Sequence, residues 1–406
     1  MVRLKGFTRL TNPDRALSLF LKEAAPKRMA SEALPISEVL GRILASDVMA
    51  PEDYPPFDRS AVDGYAIRAS ETFESSVDKA KEFALVDKEP IGWREARQIW
   101  TGNPMPKGAD AVVMLEYARK GNTKVDVLMA VAPGTNVSIR GEDVRKGDVV
   151  LRRGRRLRPE DLGLLAELGF REVEVVSKPR VAILSTGNEI VDVNAKRKAG
   201  QIFDANKVLL SNLVRELGGT PVDMGIARDD FDEISRMMRD GLKRADVLIT
   251  TGGSSVGKFD LSYEVLDGLG KPGVLIHGVS MRPGKVTALA LVEGKPSFSL
   301  PGNPVASFFG FETFVRPLLL RMLGTRERRA TVKARLSRTV PSSLGFRIFL
   351  RVKLCGEGER LEAVPLATHG SGMMTTLTDA DGYVVIPENR DKLEKGEVVT
   401  VHLLGR

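Results

Sequence analysis

The sequence predicts a multidomain α/β protein, and three observations carry that expectation. Five apolar runs in the middle of the chain are each followed by a short polar segment, most of them bearing glycine. The regions on either side are built of short β-prone runs punctuated by glycine and proline. The chain has 406 residues, more than one compact core accommodates, so roughly two to four domains are expected.

Taken in order, residues 12–25 and 31–46 are expected to form short helices, ended by Pro51-Glu-Asp-Tyr-Pro55-Pro56. Residues 57–140 read as β-rich, with runs such as Tyr65–Ile67, Ala109–Leu115 and Lys124–Val131. Gly141, Gly147 and Gly154 then separate further short β-prone runs. The arginines at 152, 153, 155, 156 and 158 suit a hairpin turn. Pro159 stands at the first position of a helix reaching Leu168 and stopped by Gly169.

The central region alternates strand and helix. Arg180–Leu184 leads into Ser185-Thr-Gly-Asn-Glu189, Val222–Ile226 into Ala227-Arg-Asp-Asp230, and Ala245–Ile249 into Thr250-Thr-Gly-Gly-Ser-Ser255. Val274–Gly278 leads towards Met281-Arg-Pro-Gly-Lys285, and Ser297–Leu300 into Pro301-Gly-Asn-Pro304. Between them, Asp204 precedes a helix with Leu210, Leu213, Val214 and Leu217 on one face, and Ile234, Met237 and Met238 mark another. This alternation implies a parallel sheet covered on both faces. An apolar helix from Val305 to Leu323 follows, with Asn303 as N-cap and Pro304 at its first position. Residues 330–406 return to short β runs and glycine turns, a small all-β domain.

Composition narrows the function classes. Sixty-one basic against fifty-three acidic residues give a net charge of +8, which would suit polyanions or phosphorylated ligands, but a solvated surface is the favoured reading because the charges are spread along the chain. The arginine cluster lacks the interleaved aromatics of a single-strand nucleic-acid platform, so no nucleic-acid partner is expected. A single cysteine, Cys355, excludes an internal disulfide and a cysteine-based zinc site. No secretory signal and no long apolar span are present, so no membrane partner and a cytoplasmic location are expected.

In an open α/β sheet, ligands sit beyond the carboxyl ends of the strands. If the five runs are neighbouring strands, their polar segments converge on one crevice. Glu189, Asp229 and Asp260 each follow a predicted strand or its loop, and a site of a few carboxylates plus substrate phosphates suits Mg²⁺. Helix capping is the alternative for Asp229, Asp230 and Asp260. The paired glycines Gly252 and Gly253 allow close backbone approach to a phosphate or planar ring, although the segment matches neither a Walker loop nor a dinucleotide fingerprint and also suits a plain turn. Pro301–Pro304 places a glycine turn before a helix N-terminus, which favours an anion or simply caps a core helix. Asp58 and Asp63 beside Tyr65 suit a binding loop or a turn.

Together these segments resemble one family. Pro56-Phe-Asp-Arg-Ser-Ala-Val-Asp-Gly-Tyr-Ala66, Thr101-Gly-Asn-Pro-Met-Pro-Lys-Gly-Ala-Asp-Ala-Val-Val113 and Arg140-Gly-Glu-Asp143 match its N-terminal motifs. Ser185-Thr-Gly-Asn-Glu189, Thr250-Thr-Gly-Gly-Ser-Ser-Val-Gly257 and Leu300-Pro-Gly-Asn-Pro-Val305 match its central ones. In this order, over nearly the whole chain, they resemble the molybdopterin molybdotransferases of the MoeA type, the family of the gephyrin E domain.

The resemblance implies four domains: an elongated helical/β lever domain from 1–50 and 141–177, an inserted β domain at 51–140, a central α/β molybdopterin-binding domain at 178–326, and a C-terminal β-barrel at 327–406. It implies a homodimer that inserts molybdenum, or tungsten, from the oxyanion into adenylylated molybdopterin, with Mg²⁺-dependent release of AMP. By motif, Glu189, Asp229 and Asp260 would serve the cation and the pyrophosphate. Gly252, Gly253 and Ser254, with Ser185, Thr186 and Ser255, would hold the substrate. Lys285 with Pro301, Gly302 and Asn303 would hold the oxyanion, and Asp58, Thr101 and Asp143 would come from the partner subunit. Arg351 and Ser371 are looser C-terminal matches. Arg282 stands where the family often has lysine, which keeps the charge, and some oxyanion affinity, but changes the geometry. The pterin adenylyltransferase is a candidate partner. Two other readings compete: that adenylyltransferase activity itself, which would need only the central domain, and a gephyrin-like scaffold, which would bind without turnover.

Overall fold

The computed structural model describes residues 10–252, 261–326, 328–366 and 372–405. The chain divides into two compact units, one of Ala33–Leu40 and Leu44–Glu174, the other of Met1–Glu32, Gly41–Ile43 and Val175–Arg406.

The first unit is built on a six-stranded sheet in the order Ala111–Met114, Gly64–Ile67, Glu95–Ile99, Lys81–Leu85, Lys124–Val127, Ala118–Lys120. Tyr65, Ile67, Phe83, Val113, Val125 and Val127 fill its core. The helix begun by Pro159 runs to Glu167. Arg155 donates to both carboxylate oxygens of Asp161, at 2.9 and 2.8 Å, so part of the arginine cluster is held by the helix it precedes. The turn at 152–155 joins no hairpin: Val149–Leu151 pairs with Val48–Met49, a strand from a distant part of the sequence.

Residues 31–46 are not helical. Pro35 lies inside the segment, and it fixes φ and lacks the N–H that a helix needs. Ser31–Pro35 is a strand, and only one 3₁₀ turn follows, Ile36–Glu38. The first predicted helix does form, over Pro13–Ala24, with the Asn12 side chain accepting from the backbone N–H groups of Asp14 and Arg15.

In the second unit a six-stranded sheet runs in the order Thr220–Ala227, Arg180–Thr186, Val247–Gly252, Lys295–Leu300, Ala288–Val292, Pro272–His277. Alternate side chains point to opposite faces. Val181, Ile183, Val247, Ile249, Phe298 and Leu300 pack with helix Ala205–Glu216 and the helical run from Pro304. Ala182, Leu184 and Leu248 pack with helices Phe231–Arg244 and Leu261–Gly268. The sheet is mixed rather than wholly parallel. Ala288–Val292 runs antiparallel to both its neighbours. A two-residue turn joins it to Lys295–Leu300, with both residues at positive φ, Glu293 at 50° and Gly294 at 78°, the twist that favours a tight hairpin.

The long apolar helix is three pieces: Pro304–Gly310, a π-helical turn Phe311–Val315, and Arg316–Leu323, ended by Gly324 at φ 68°. Beyond it five strands close on themselves. Arg347–Cys355 pairs with Glu362–Pro365, which pairs with Thr331–Leu336, then Val398–Leu403, then Gly382–Ile386, and this last strand returns to Arg347–Cys355. Leu336, Leu350, Val352, Val384, Ile386 and Val401 fill the closed barrel. The multidomain α/β architecture with a C-terminal β-barrel is thus the one the sequence predicts.

Candidate functional site

The five polar segments gather at one end of the central sheet. Register fixes this: Thr186 lies opposite both Ala227 and Gly252, and Thr251 opposite Leu300. His277 pairs with Ala288, which pairs with Ser299, so the loop after His277 leaves from the same end. The segments beginning at Ser185, Arg228, Gly252, Gly278 and Pro301 therefore share one edge, as the sequence led us to expect.

Two glycines let backbones approach there. Gly252 sits at φ 104°, and a Cβ on it would lie 2.0 Å from the Thr186 carbonyl oxygen. A Cβ on Gly302 would come within 3.4 Å of the Gly252 Cα. Side chains on the facing helix tie the two strand ends together. Asn206 Nδ2 donates to Thr251 Oγ1 at 2.8 Å and to the Gly302 carbonyl at 2.7 Å. Thr251 Oγ1 lies 3.2 Å from both the Pro301 carbonyl and Ser307 Oγ, and Ser307 Oγ donates to the same carbonyl. On the opposite face Thr186 Oγ1 meets Ser262 Oγ at 3.4 Å. Ser185 is buried at the end of its strand, and its Oγ has no hydrogen-bond partner among the described residues.

Glu189 and Asp229 are exposed carboxylates on the loops that leave adjacent strands. Asp229 does not cap the following helix; Asp230 does, accepting from the Glu233 N–H at 2.8 Å. Asp229 reaches across instead. Its Oδ2 accepts from the Asn188 N–H at 3.3 Å, and its own N–H donates to Asn188 Oδ1 at 3.2 Å. The Glu189 loop is held a second time by Lys207, whose Nζ lies 2.7 Å from Asp192 and 3.3 Å from Asp223. The Lys207 hydrogen bond, then the Asn194 backbone N–H, lowers the Asp192 pKa from its usual 3.8 to about 2. A depressed folded pKa means that this link is fully present above about pH 4 and is lost as pH falls towards 2. The expected NMR titration midpoint of Asp192 is about 2, and Lys207→Met should return it towards the ordinary carboxylate range. A midpoint indifferent to that substitution would contradict the assignment.

Lys285 is exposed on the loop between Met281–Arg282 and Ala288–Val292, where its carbonyl accepts from the Val279 N–H. Arg282 is turned onto the barrel. Its guanidinium carbon lies 4.0 Å from the Phe346 ring centroid, and Nη1 lies 3.3 Å from Ser343 Oγ. Asn303 occupies the N-cap position before Pro304 without a side-chain capping bond, and its carbonyl accepts from the Ser307 N–H at 2.9 Å. Arg351 is buried in the barrel wall, donating to Thr376 Oγ1 and the Phe349 carbonyl. Gly253, Ser254, Ser255, Asp260 and Ser371 lie outside the described residues. Among the described residues no three His, Cys, Asp or Glu side chains gather as a ready-made metal cage.

The first unit brings its own motifs together. The Asp58 carboxylate accepts from the Arg140 N–H at 2.8 Å, and its carbonyl accepts from the Met105 N–H at 2.8 Å. The Asp143 N–H donates to the Tyr54 carbonyl at 3.2 Å. Thr101 donates through both its N–H (2.8 Å) and its Oγ1 (2.7 Å) to Asp63, and these bonds hold the Asp63 carboxyl below its ordinary range. Asp58, Thr101 and Asp143 are all exposed on this set of loops.

Sequence reasoning passed over three organising residues: Asp63, Asn206 and Lys207. Asp63 was visible only as half of a pair with Asp58. Asn206 and Lys207 follow the cap Asp204, where a polar residue reads as ordinary first-turn composition.

A mixed α/β sheet presenting polar loops at one edge, a closed β-barrel and a separate β unit define a multidomain ligand-binding protein. A model of the MoeA N-terminal region (domain I and II) matches residues 11–169. A "Probable molybdopterin binding domain" model matches 182–321, and one of the MoeA C-terminal region (domain IV) matches 333–404. A Methanocaldococcus jannaschii protein named for molybdopterin biosynthesis is 36% identical over the whole of both chains. The Bacillus subtilis molybdopterin molybdenumtransferase is 34% identical, covering 93% of this chain and 91% of its own. The crystal structure of a molybdopterin biosynthesis MoeA protein from Pyrococcus horikosii matches with a TM-score of 0.81 at 38% identity, covering 97% of this chain and 99% of that one. The chain belongs to the MoeA family, transferases of molybdenum cofactor biosynthesis.

Proposed function

We propose that this protein transfers molybdenum, or tungsten, from its oxyanion into adenylylated molybdopterin. Cleavage of the phosphoanhydride would release AMP, and the dithiolene sulfurs would take the metal. The observation that supports this most is the convergence of the five strand-end segments, which sets the Gly252 and Gly302 backbones beside each other and Glu189 and Asp229 on the loops that leave adjacent strands. Close-lying backbone suits a phosphorylated, planar ligand. Exposed carboxylate oxygens suit a hard divalent cation that shares its ligands with phosphate. Glu189 and Asp229 would hold Mg²⁺, with Asp260 expected to join them; when bound, the cation neutralises charge developing on the leaving phosphate.

On this reading Ser185, Thr186, Gly252 and the Gly253–Ser255 segment hold the pterin phosphate side. The protein works as a cytoplasmic homodimer in which Asp58, Thr101 and Asp143 complete the other subunit's site. No helix among the described residues is long and apolar enough to cross a membrane. The test is incubation with adenylylated molybdopterin, molybdate and Mg²⁺. AMP release with loss of the substrate is the expected result; ligand binding without AMP release sinks the reading. Sedimentation of the active preparation reports the assembly.

The oxyanion role is tested at Lys285. Lys285→Met keeps the stem and removes the charge. It should raise the molybdate concentration for half-maximal turnover by a few-fold to about tenfold, the range of one charge-assisted contact at an exposed site. A local contact keeps this defect at high salt, whereas a long-range effect fades as the Debye length shrinks. Because the Arg282 guanidinium is stacked on Phe346, Arg282→Ala should change molybdate dependence less. Equal molybdate dependence of Lys285→Met and parent at high salt would rule out the contact.

A further inference from the structure

The strand-end site is held together by one buried amide. Asn206 is 7% exposed, in the first turn of helix Ala205–Glu216. Its Nδ2 spends both N–H groups, one on Thr251 Oγ1 at 2.8 Å and the other on the Gly302 carbonyl at 2.7 Å. The two acceptors lie on different segments, one at the end of Val247–Gly252 and the other in the turn before Pro304. The amide orientation follows from the acceptors, because a carbonyl can only accept, and flipping the side chain would set Oδ1 against it. This orientation has a cost: Oδ1 is buried with no hydrogen-bond partner among the described residues.

The rest of the network follows in one direction. With one lone pair taken by Asn206, Thr251 Oγ1 turns its own proton to the Pro301 carbonyl or Ser307 Oγ, both at 3.2 Å. Ser307 Oγ donates to that carbonyl too. Two consecutive carbonyls of the turn, Pro301 and Gly302, are thus both held. The held geometry is tight, since a Cβ on Gly302 would lie 3.4 Å from the Gly252 Cα.

We propose that Asn206 is a positioning residue that fixes the spacing between the Thr251–Gly252 strand end and the Pro301–Gly302 turn, so that the two glycine backbones present one preformed cradle to the substrate. The inference rests on reading this edge of the sheet as the pterin site. A preformed cradle means that binding need not order two independent loops, so losing the bridge weakens binding more than it slows a bound substrate.

The experiment compares the parent chain with Asn206→Ala and the near-isosteric Asn206→Asp, measuring calorimetric affinity for adenylylated molybdopterin, KM and kcat for AMP release, and melting temperature. All are read well below the melting point of each variant. The expected result for either variant is affinity reduced about tenfold or more, KM raised in parallel, and kcat at saturation within about twofold of the parent. Ser307→Ala, which leaves the Gly302 contact in place, should lose less affinity. Parent-like affinity and KM in a folded Asn206→Ala or Asn206→Asp would overturn the proposal, as would a loss confined to kcat. Should Asn206→Ala not fold, Asn206→Asp alone decides. A parent chain that binds the adenylylated pterin but releases no AMP would sink the transferase reading and leave the affinity comparison standing.

Discussion

Asp229→Ala is expected to cut AMP release by about a hundredfold or more, the scale seen when one preorganised electrostatic contact to a developing charge is lost. Its neighbour provides the control. Asp230 is the helix cap, accepting from the Glu233 N–H; Asp229 is exposed and, among the described residues, tied to Asn188. Asp230→Ala should therefore cost about 1 kcal/mol of stability and leave turnover near the parent's. Asp229→Ala should leave stability within about 0.5 kcal/mol, as for a surface position, while turnover falls. If Asp229 holds Mg²⁺ as proposed, the defect should be deepest at limiting Mg²⁺ and only partly relieved by excess, because one oxygen ligand would be gone. Part of the loss would pass through Glu189, since the Asp229–Asn188 bonds tie the loop that carries it. Asn188→Ala separates the contributions: it breaks the tie but leaves both carboxylates. Parent-like AMP release from Asp229→Ala at limiting Mg²⁺ would remove Asp229 from the cation site.

The strand ends were legible because two local signals coincide at each: an apolar run of strand length, then a polar stop. Burial on both faces leaves the central runs Val181–Leu184 and Val247–Ile249 without polar alternation, so direction and neighbour order were not written in them. Ala288–Val292 shows the limit. Its run is as apolar as its neighbours', and only the two-residue turn at Glu293-Gly294 marks it as the antiparallel arm of a hairpin. Residues 31–46, expected as a helix, failed differently, because Pro35 denies that segment a helical hydrogen bond. Asp204 and Asp230 are caps readable from sequence. Asn206 is not, because its two acceptors lie 45 and 96 residues away in the chain. The same holds for Thr101 and Asp63, 38 residues apart. Site residues that speak to the adjoining backbone are visible in sequence; those that bridge segments need the fold.

One such bridge should dominate stability. Glu312 is the only acidic residue in the helical run from Pro304 to Leu323, and it lies on the π-helical turn Phe311–Val315. Its side chain is 4% exposed and takes both oxygens to Arg329, Nε and Nη2 at 2.7 Å each. Arg329 comes from the segment leading into the barrel strand Thr331–Leu336, and its Nη1 has a weaker tie to Glu216 at 3.7 Å. Tyr383 of the barrel is close enough to feel the pair: burial, then the Glu312 charge, pushes its hydroxyl up to about 12. Around it Phe309 stacks on Phe349 at 4.4 Å and meets Tyr383 edge-on at 5.2 Å. Removing one member of a buried pair leaves the other charged and unpaired, so Glu312→Ala should cost about 3–5 kcal/mol. Replacing both as Glu312→Leu with Arg329→Met should recover most of that, because apolar groups of similar volume avoid the desolvation cost. The comparison is made by denaturant unfolding followed through Tyr383 and the barrel. A double variant no more stable than Glu312→Ala would mean that the pair contributes directional geometry, through the π turn, which packing cannot replace. A single variant within about 1 kcal/mol of the parent would mean that Glu216, already near Nη1, takes over the charge.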